Sequence, residues 1–228
     1  MKLYRLAQEA VATLFRVTCR PVITGEENFP ATGPVIVASN HLSFLDGIIL
    51  SALMPRRVGF ITKASLANAP GIKGKVMTFV YDVLGLIPVD RSRQSESVAA
   101  LEPALKLLGQ GGVFGVFPEG TRSRDGRLYR GRTGVAFSAL STGAPVVPVA
   151  LKGTERLQKP GSRIIRPRKF ELHIGTPLEV QRVDGRQTGA QRREVVDRVM
   201  DAIAALSGQE RADGYNVPPS VERDAARG

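Results

Sequence analysis

A histidine and an aspartate five residues apart are the first pair that could do chemistry. They fall in Ser39-Asn40-His41-Leu42-Ser43-Phe44-Leu45-Asp46, directly behind the apolar run Pro34–Ser39. Loops leaving the carboxyl ends of strands in an α/β sheet are favoured places for active sites. An unperturbed imidazole titrates at about 6.5, so His41 can act as a general base near neutral pH. On a continuous helix an offset of five residues separates two side chains by about 140°, so His41 and Asp46 meet only if the chain turns between them. Ser43-Phe44-Leu45-Asp46 offers that turn, because it fits the S-x-x-D pattern of a helix start with Ser43 as the cap. Two roles stay open for each residue. His41 is a general base or a structural histidine. Asp46 orients the ring and steadies its imidazolium, or it only caps a helix and complements its dipole.

Three further segments carry binding groups. Phe117-Pro118-Glu119-Gly120-Thr121-Arg122-Ser123 follows another apolar run, which Pro118 stops. Gly120 lets backbone approach a ligand closely. Arg122 presents a planar fork of donors that suits phosphate; the alternative is a solvated basic loop. Glu119, directly behind a buried strand, demands a partner. In Gly85-Leu86-Ile87-Pro88-Val89-Asp90-Arg91, Arg91 is either a phosphate ligand or half of a surface pair with Asp90. In Val147-Pro148-Val149 a proline inside an apolar strand predicts an edge position or a pocket wall.

Several chemistries have no residues to run on. No G-x-S-x-G elbow, P-loop, G-x-G-x-x-G or Cys/His metal cluster occurs. The single cysteine, Cys19, reads as a small buried apolar residue and forbids an intrachain disulfide. His173 falls inside an expected strand and reads as structural. A base and binding groups remain, with the nucleophile brought by a substrate.

The elements that must hold these residues alternate. Strands are expected at Pro34–Ser39, Val58–Thr62, Val113–Phe117, Val146–Leu151 and Phe170–Ile174. Helices are expected at Phe44–Leu53, Lys73–Leu84, Glu96–Leu108, Thr133–Ser141 and Arg192–Leu206, with Gly109 and Gly143 as C-terminal caps. Strands this uniformly apolar suit a sheet covered on both faces. The fold class is therefore α/β: one domain, a largely parallel or mixed sheet covered by helices, and an N-terminal amphipathic helix. In that helix Leu3, Leu6, Ala7, Ala10, Val11, Leu14 and Phe15 recur at helical spacing. It either packs on its own domain or lies in a membrane interface.

The 228 residues carry 32 Lys plus Arg against 21 Asp plus Glu, a net charge of +11. That surplus implies an anionic partner: a membrane surface, a phosphorylated substrate or nucleic acid. No apolar run reaches the about 18 residues of a spanning helix, and the first twenty residues lack the pattern of a signal peptide. Aromatic residues are 6% of the chain and no zinc-finger, RRM or KH signature is present, which argues against a nucleic-acid-binding module.

Four blocks in order, N-H-x-x-x-x-D, G-x-I-P-V-D-R, F-P-E-G-T-R-S and V-P-V, resemble the motifs of the glycerolipid acyltransferases, and within them the PlsC-type 1-acyl-sn-glycerol-3-phosphate acyltransferases. The resemblance spans residues 35–155. It implies transfer of a fatty acyl group from acyl-CoA or acyl carrier protein to the hydroxyl of lysophosphatidic acid, giving phosphatidic acid; glycerol 3-phosphate, another lysophospholipid or a glycolipid are alternative acceptors. His41 matches the base and Asp46 its orienting carboxylate. Arg91, Gly120, Thr121 and Arg122 match acceptor- and phosphate-binding positions, and Glu119 the acid of the third block, with a positional part. Pro148 matches the fourth block, expected to line the acyl or thioester pocket. Lys63 resembles a lysine near the acceptor phosphate.

On that reading no metal and no bound cofactor is needed. Backbone N–H groups near Gly120 are candidate donors to the oxyanion. The chain divides into a membrane-interface helix at 1–20, an acyltransferase domain at 21–206 and a polar tail at 207–228 expected to be poorly ordered. The expected partners are an anionic membrane surface, the lysophospholipid and the acyl donor, with no nucleic acid. The expected location is peripheral, on the cytoplasmic face of the cell membrane.

Overall fold

The apolar run Val35–Ser39 is a strand whose five residues are all buried, because its neighbours cover it on both faces and both edges. The computed structural model describes residues 2–63, 86–89, 98–158 and 164–217. Seven strands lie among them: β1 (Val22–Thr24), β2 (Val35–Ser39), β3 (Val58–Lys63), β4 (Leu86–Val89), β5 (Val113–Val116), β6 (Val146–Lys152) and β7 (Glu171–Ile174). They form one sheet in the order β1-β7-β6-β2-β5-β3-β4. Every neighbouring pair is parallel except β6 with β7. The sheet is therefore mixed, with β7 and β1 reversed at one end.

Among the described residues five α-helices cover it: α1 (Lys2–Thr18), α2 (Asp46–Leu53), α3 (Glu102–Gly109), α4 (Gly134–Thr142) and α5 (Gly189–Ser207). The period-two geometry of β2 divides the core. Val35 and Val37 pack with Phe15 of α1 and Ile49, Leu50 and Leu53 of α2. Ile36 and Ala38 pack with Leu108 of α3, Ala136 of α4, and Val196 and Met200 of α5. Fully burying a side chain of this kind stabilises by about 1.5–3 kcal/mol, so the two-sided cover of β2 is what holds the centre.

Helix ends follow local chemistry, with small departures from expectation. Gly143 takes the left-handed conformation (φ 70°) and its N–H donates to the Ala139 carbonyl, capping α4 as expected. Gly109 is instead the last residue of α3, and Gly111 (φ 73°) makes the left-handed turn. A capping box between Thr188 and Gln191 starts α5 before Arg192. The expected helix at Lys73–Leu84 lies outside the described residues.

Two expectations need correcting. Pro148 is not at an edge: β6 lies between β2 and β7. The strand tolerates it because the Pro148 carbonyl accepts from the Gly175 N–H, so its missing N–H faces the point where β7 has already ended at Ile174. The residue is buried in the strand. The stretch after Ser207 is no loose tail over residues 208–217, which are laid as a strap along residues 126–130. Leu128 N–H donates to the Glu210 carbonyl, Ala212 N–H to the Leu128 carbonyl, and Arg130 N–H to the Gly214 carbonyl.

Helix α1 docks through Ala12 and Phe15, with the Phe15 ring edge-on to Phe170, and Gln8 Nε2 donates to the Ser51 carbonyl. Cys19 is buried beside it. Leu6, Leu14 and Val17 stay exposed. Among the described residues no helix is long and apolar enough to cross a membrane.

Candidate active site

Strands β2 and β5 are adjacent and parallel, so the loops that leave their carboxyl ends open on the same edge of the sheet. Those loops are the two segments with the most chemical content, 39–46 and 117–123. Strands β3 and β4 end on that edge too, with Lys63 paired to Val89. Lys63 is thus placed at the right edge by its backbone. Arg91 lies outside the described residues.

The turn between His41 and Asp46 forms as their spacing requires. His41 Nδ1 lies 2.9 Å from Asp46 Oδ2. The same oxygen accepts the backbone N–H groups of Leu42 at 2.6 Å and Ser43 at 2.7 Å. The loop is wrapped around this fully buried carboxylate, which heads α2. Ser43 is not the helix cap that the sequence pattern predicts. Its hydroxyl accepts the Leu45 N–H and its carbonyl the Asp46 N–H, while Asp46 reaches back over the loop. A carboxylate oxygen only accepts, so Nδ1 carries the ring proton and Nε2 keeps its lone pair. The His41 side chain is 18% exposed, so the ring is not sealed in the core. The ring stacks on Phe117 at 4.0 Å, and Phe117 stacks on Phe60 at 5.3 Å.

Glu119 ties the two loops together. It is fully buried. Its Oε1 accepts the His41 N–H at 3.1 Å and its Oε2 accepts the Tyr129 N–H at 3.0 Å. Ser123 N–H returns a bond to the His41 carbonyl at 2.8 Å. Burial pushes the Glu119 carboxyl up to about 7; the two N–H donors pull it down but do not win, and the charges of Asp46 and Asp125 add to the rise. Each Glu119 oxygen thus bonds a backbone N–H of one of two segments, 39–46 and 123–129, and joins them.

The rest of that loop is a series of turns. Gly120 is left-handed (φ 79°), and a side chain there would lie 2.8 Å from Arg132 Nε. Its N–H donates to the Phe117 carbonyl at 3.0 Å, so it is engaged and is not an oxyanion donor. The N–H groups of Thr121 and Arg122 have no partner among the described residues. Thr121 is half-buried and Arg122 exposed. Asp125 pins residues 123–129: desolvation opposes its charge, but bonds from Arg127, Tyr129 and Ser123 hold its carboxyl well below the usual range.

Asn40, which carried no assigned role in the sequence, is a hub. Its Oδ1 accepts the Leu151 N–H and its Nδ2 donates to the Leu151 carbonyl, both at 2.8 Å, so it pairs with the end of β6 as a strand residue would. Its second amide proton goes to Gln209 Oε1 at 2.7 Å. The pairing partners lie far away in the chain, which is why no local pattern announced them.

Residues 20–152 match the sequence model of the Acyltransferase family. The chain belongs to that family. It is 36% identical over 164 residues to a chloroplastic 1-acyl-sn-glycerol-3-phosphate acyltransferase of Brassica napus, covering 71% of this chain and 46% of that one. It is 28% identical over 178 residues to a 1-acyl-sn-glycerol-3-phosphate acyltransferase of Bacillus subtilis, covering 77% and 82%. Its fold resembles the crystal structure of the 1-acyl-sn-glycerophosphate acyltransferase PlsC of Thermotoga maritima, with a TM-score of 0.67, 27% identity, and 90% and 81% coverage. The chain spans 46%, 44% and 51% of the length of three plant and bacterial relatives it matches. The family match contains both loops of the site. Helix α5 and the strap of this chain lie beyond it.

Proposed function

We propose that this acyltransferase moves a fatty acyl group from a thioester, acyl-CoA or acyl carrier protein, to the free hydroxyl of lysophosphatidic acid, giving phosphatidic acid. The observation that carries the reading is the His41 ring, whose Nδ1 faces Asp46 at 2.9 Å and whose side chain stays partly exposed. The names of the relatives support the acceptor.

His41 Nε2 takes the acceptor's hydroxyl proton as its oxygen attacks the thioester carbonyl carbon. The C–O bond forms and the carbonyl electrons move to oxygen. The tetrahedral adduct collapses, the C–S bond breaks, and the imidazolium returns the proton to the departing sulfur. No covalent enzyme intermediate is required. Asp46 steadies the imidazolium through Nδ1–H. General-base help of this kind contributes about 10²–10⁴-fold, and holding both substrates in place contributes more. The unpartnered N–H groups of Thr121 and Arg122 take the oxyanion role expected near Gly120. The exposed Arg122 fork holds the acceptor's phosphate, joined by Lys63 at the end of β3 and by Arg91, which the sequence resemblance assigns to the same task.

The same reading places the enzyme peripherally on an anionic membrane at the cytoplasmic face. Exposed Leu6, Leu14 and Val17 on α1, and exposed Phe44 beside the His41 loop, supply apolar contact. The +11 charge supplies attraction. The deciding experiment is an acyl-transfer assay on purified protein with one acyl-CoA and a panel of acceptors: lysophosphatidic acid, glycerol 3-phosphate and uncharged lysolipids. Transfer confined to glycerol 3-phosphate, or none to any acceptor, rejects the assignment.

A further inference from the structure

The strap 208–217 crosses the back of the loop that carries Glu119, Thr121 and Arg122. Gln209 sits where the two site loops come nearest to it. Its Oε1 accepts from Asn40 Nδ2 at 2.7 Å, and its Nε2 donates to the Gly126 carbonyl at 2.6 Å. Asn40 immediately precedes His41. Gly126 lies in the turn that Asp125 pins, between Arg122 and Tyr129. One side-chain amide thus spans from the loop of the base to the loop of the phosphate-binding arginine. Further along, Asn216, 8% exposed, donates to the Thr121 carbonyl at 3.4 Å, and the Tyr215 ring lies under the guanidinium groups of Arg130 and Arg132. Charged and aromatic partners therefore hold the strap at its far end too.

We infer that Gln209 is a positioning residue that sets the phosphate-binding loop against the catalytic loop, and so governs affinity for the phosphorylated acceptor. The inference rests on the acyl-transfer reading above. The two arms of Gln209 are not equal in what they control. Asn40 keeps both of its bonds to Leu151 if Gln209 is lost, so the backbone of His41 stays in place. Gly126 loses a short bond and the loop 120–128 gains freedom. The effect then falls on acceptor binding, and the chemistry of the base is spared.

The test uses the full chain with Gln209→Leu, which removes both arms at similar volume, and Gln209→Glu, which keeps the acceptor for Asn40 and removes the donor to Gly126. Losing one well-made hydrogen bond predicts an acceptor KM raised about 3- to 10-fold in both variants, since the Gly126 arm is lost in each. The KM for acyl-CoA and the kcat at saturating acceptor stay within about twofold. Amide exchange should quicken at residues 120–128 and not at 35–39. An unchanged acceptor KM overturns the inference. So does a uniform loss in kcat and both KM values that tracks a lower melting temperature. If Gln209→Leu does not fold, Gln209→Glu decides alone. His41→Ala runs beside them: transfer surviving there rejects the acyl-transfer mechanism, whereas its loss with an unchanged acceptor KM in the Gln209 variants rejects only the part given to Gln209.

Discussion

Glu119 accepts the backbone N–H of His41 at 3.1 Å, so the buried acid grips the main chain of that residue and not its ring. The ring belongs to Asp46, 2.9 Å from Nδ1. Two carboxylates thus divide the work on one histidine. One fixes where the residue is, the other which way its proton points.

That division predicts different costs. His41→Ala removes a partly exposed ring, its stack on Phe117 and one of three donors to Asp46, which keeps the N–H groups of Leu42 and Ser43, so transfer should fall by about 10²–10⁴-fold while the melting temperature moves little. Asp46→Ala strands three donors, His41 Nδ1 and the N–H groups of Leu42 and Ser43. Each buried group left unpaired costs about 1–3 kcal/mol, so this variant should lose both transfer and several degrees of melting temperature. Equal melting of the two variants would remove Asp46 from its structural part.

Glu119 predicts a pH dependence. Its folded pKa, about 7, is raised from an ordinary 4.5. The folded state therefore holds the proton more tightly than the unfolded chain. The stability this confers is complete below 4.5 and is lost as pH rises through about 7. Glu119→Gln has no proton to bind there. The melting temperature of the native protein, measured against that of Glu119→Gln, should fall between about pH 5 and about pH 8. Two curves that run parallel across that range would refute the raised titration.

Much of this fold could be read from short-range pattern. Val35–Ser39 announced itself as a doubly covered strand, and α5 by its helical period, because burial on a face leaves a repeat in the sequence. The two loops of the site followed, since they are simply what comes after β2 and β5. Partnership across the fold left no such trace. Gln209 stands in a polar stretch that reads as solvent-exposed, yet its partners are 83 and 169 residues away. Pro148 read as an edge residue because its missing N–H signals an unpaired side, and only the length of β7 shows where that side falls. The S-x-x-D pattern located the helix start but not the roles: which oxygen caps depends on where His41 needs its proton held. Strand β1, three residues long, is too short to carry a period at all.

Arg122 predicts a split in kinetics. Its side chain is exposed, so Arg122→Ala should leave the melting temperature unchanged. If its fork holds the acceptor's phosphate equally in ground and transition states, the KM for lysophosphatidic acid should rise about tenfold with kcat intact. Arg122→Lys should recover only part of the loss, because an ammonium cannot bind the phosphate with two parallel donors. A kcat that collapses at unchanged KM would instead place this residue at the reacting carbonyl.

The membrane reading of α1 needs substitutions on its outer face. Deleting the helix would also strip Ala12 and Phe15 from the core, so a weaker association could come from unfolding. Leu6 and Leu14 are 63% and 59% exposed, and replacing both with Asp leaves the packed face untouched. If α1 lies in the interface, Leu6→Asp with Leu14→Asp should weaken partition onto anionic vesicles by about tenfold or more, as two apolar side chains no longer leave water. The melting temperature should hold, and transfer to a short-chain, water-soluble acceptor should be unaffected while transfer to vesicle-borne lysophosphatidic acid declines. Vesicle binding equal to that of the native protein would leave α1 as a helix that only packs on its own domain.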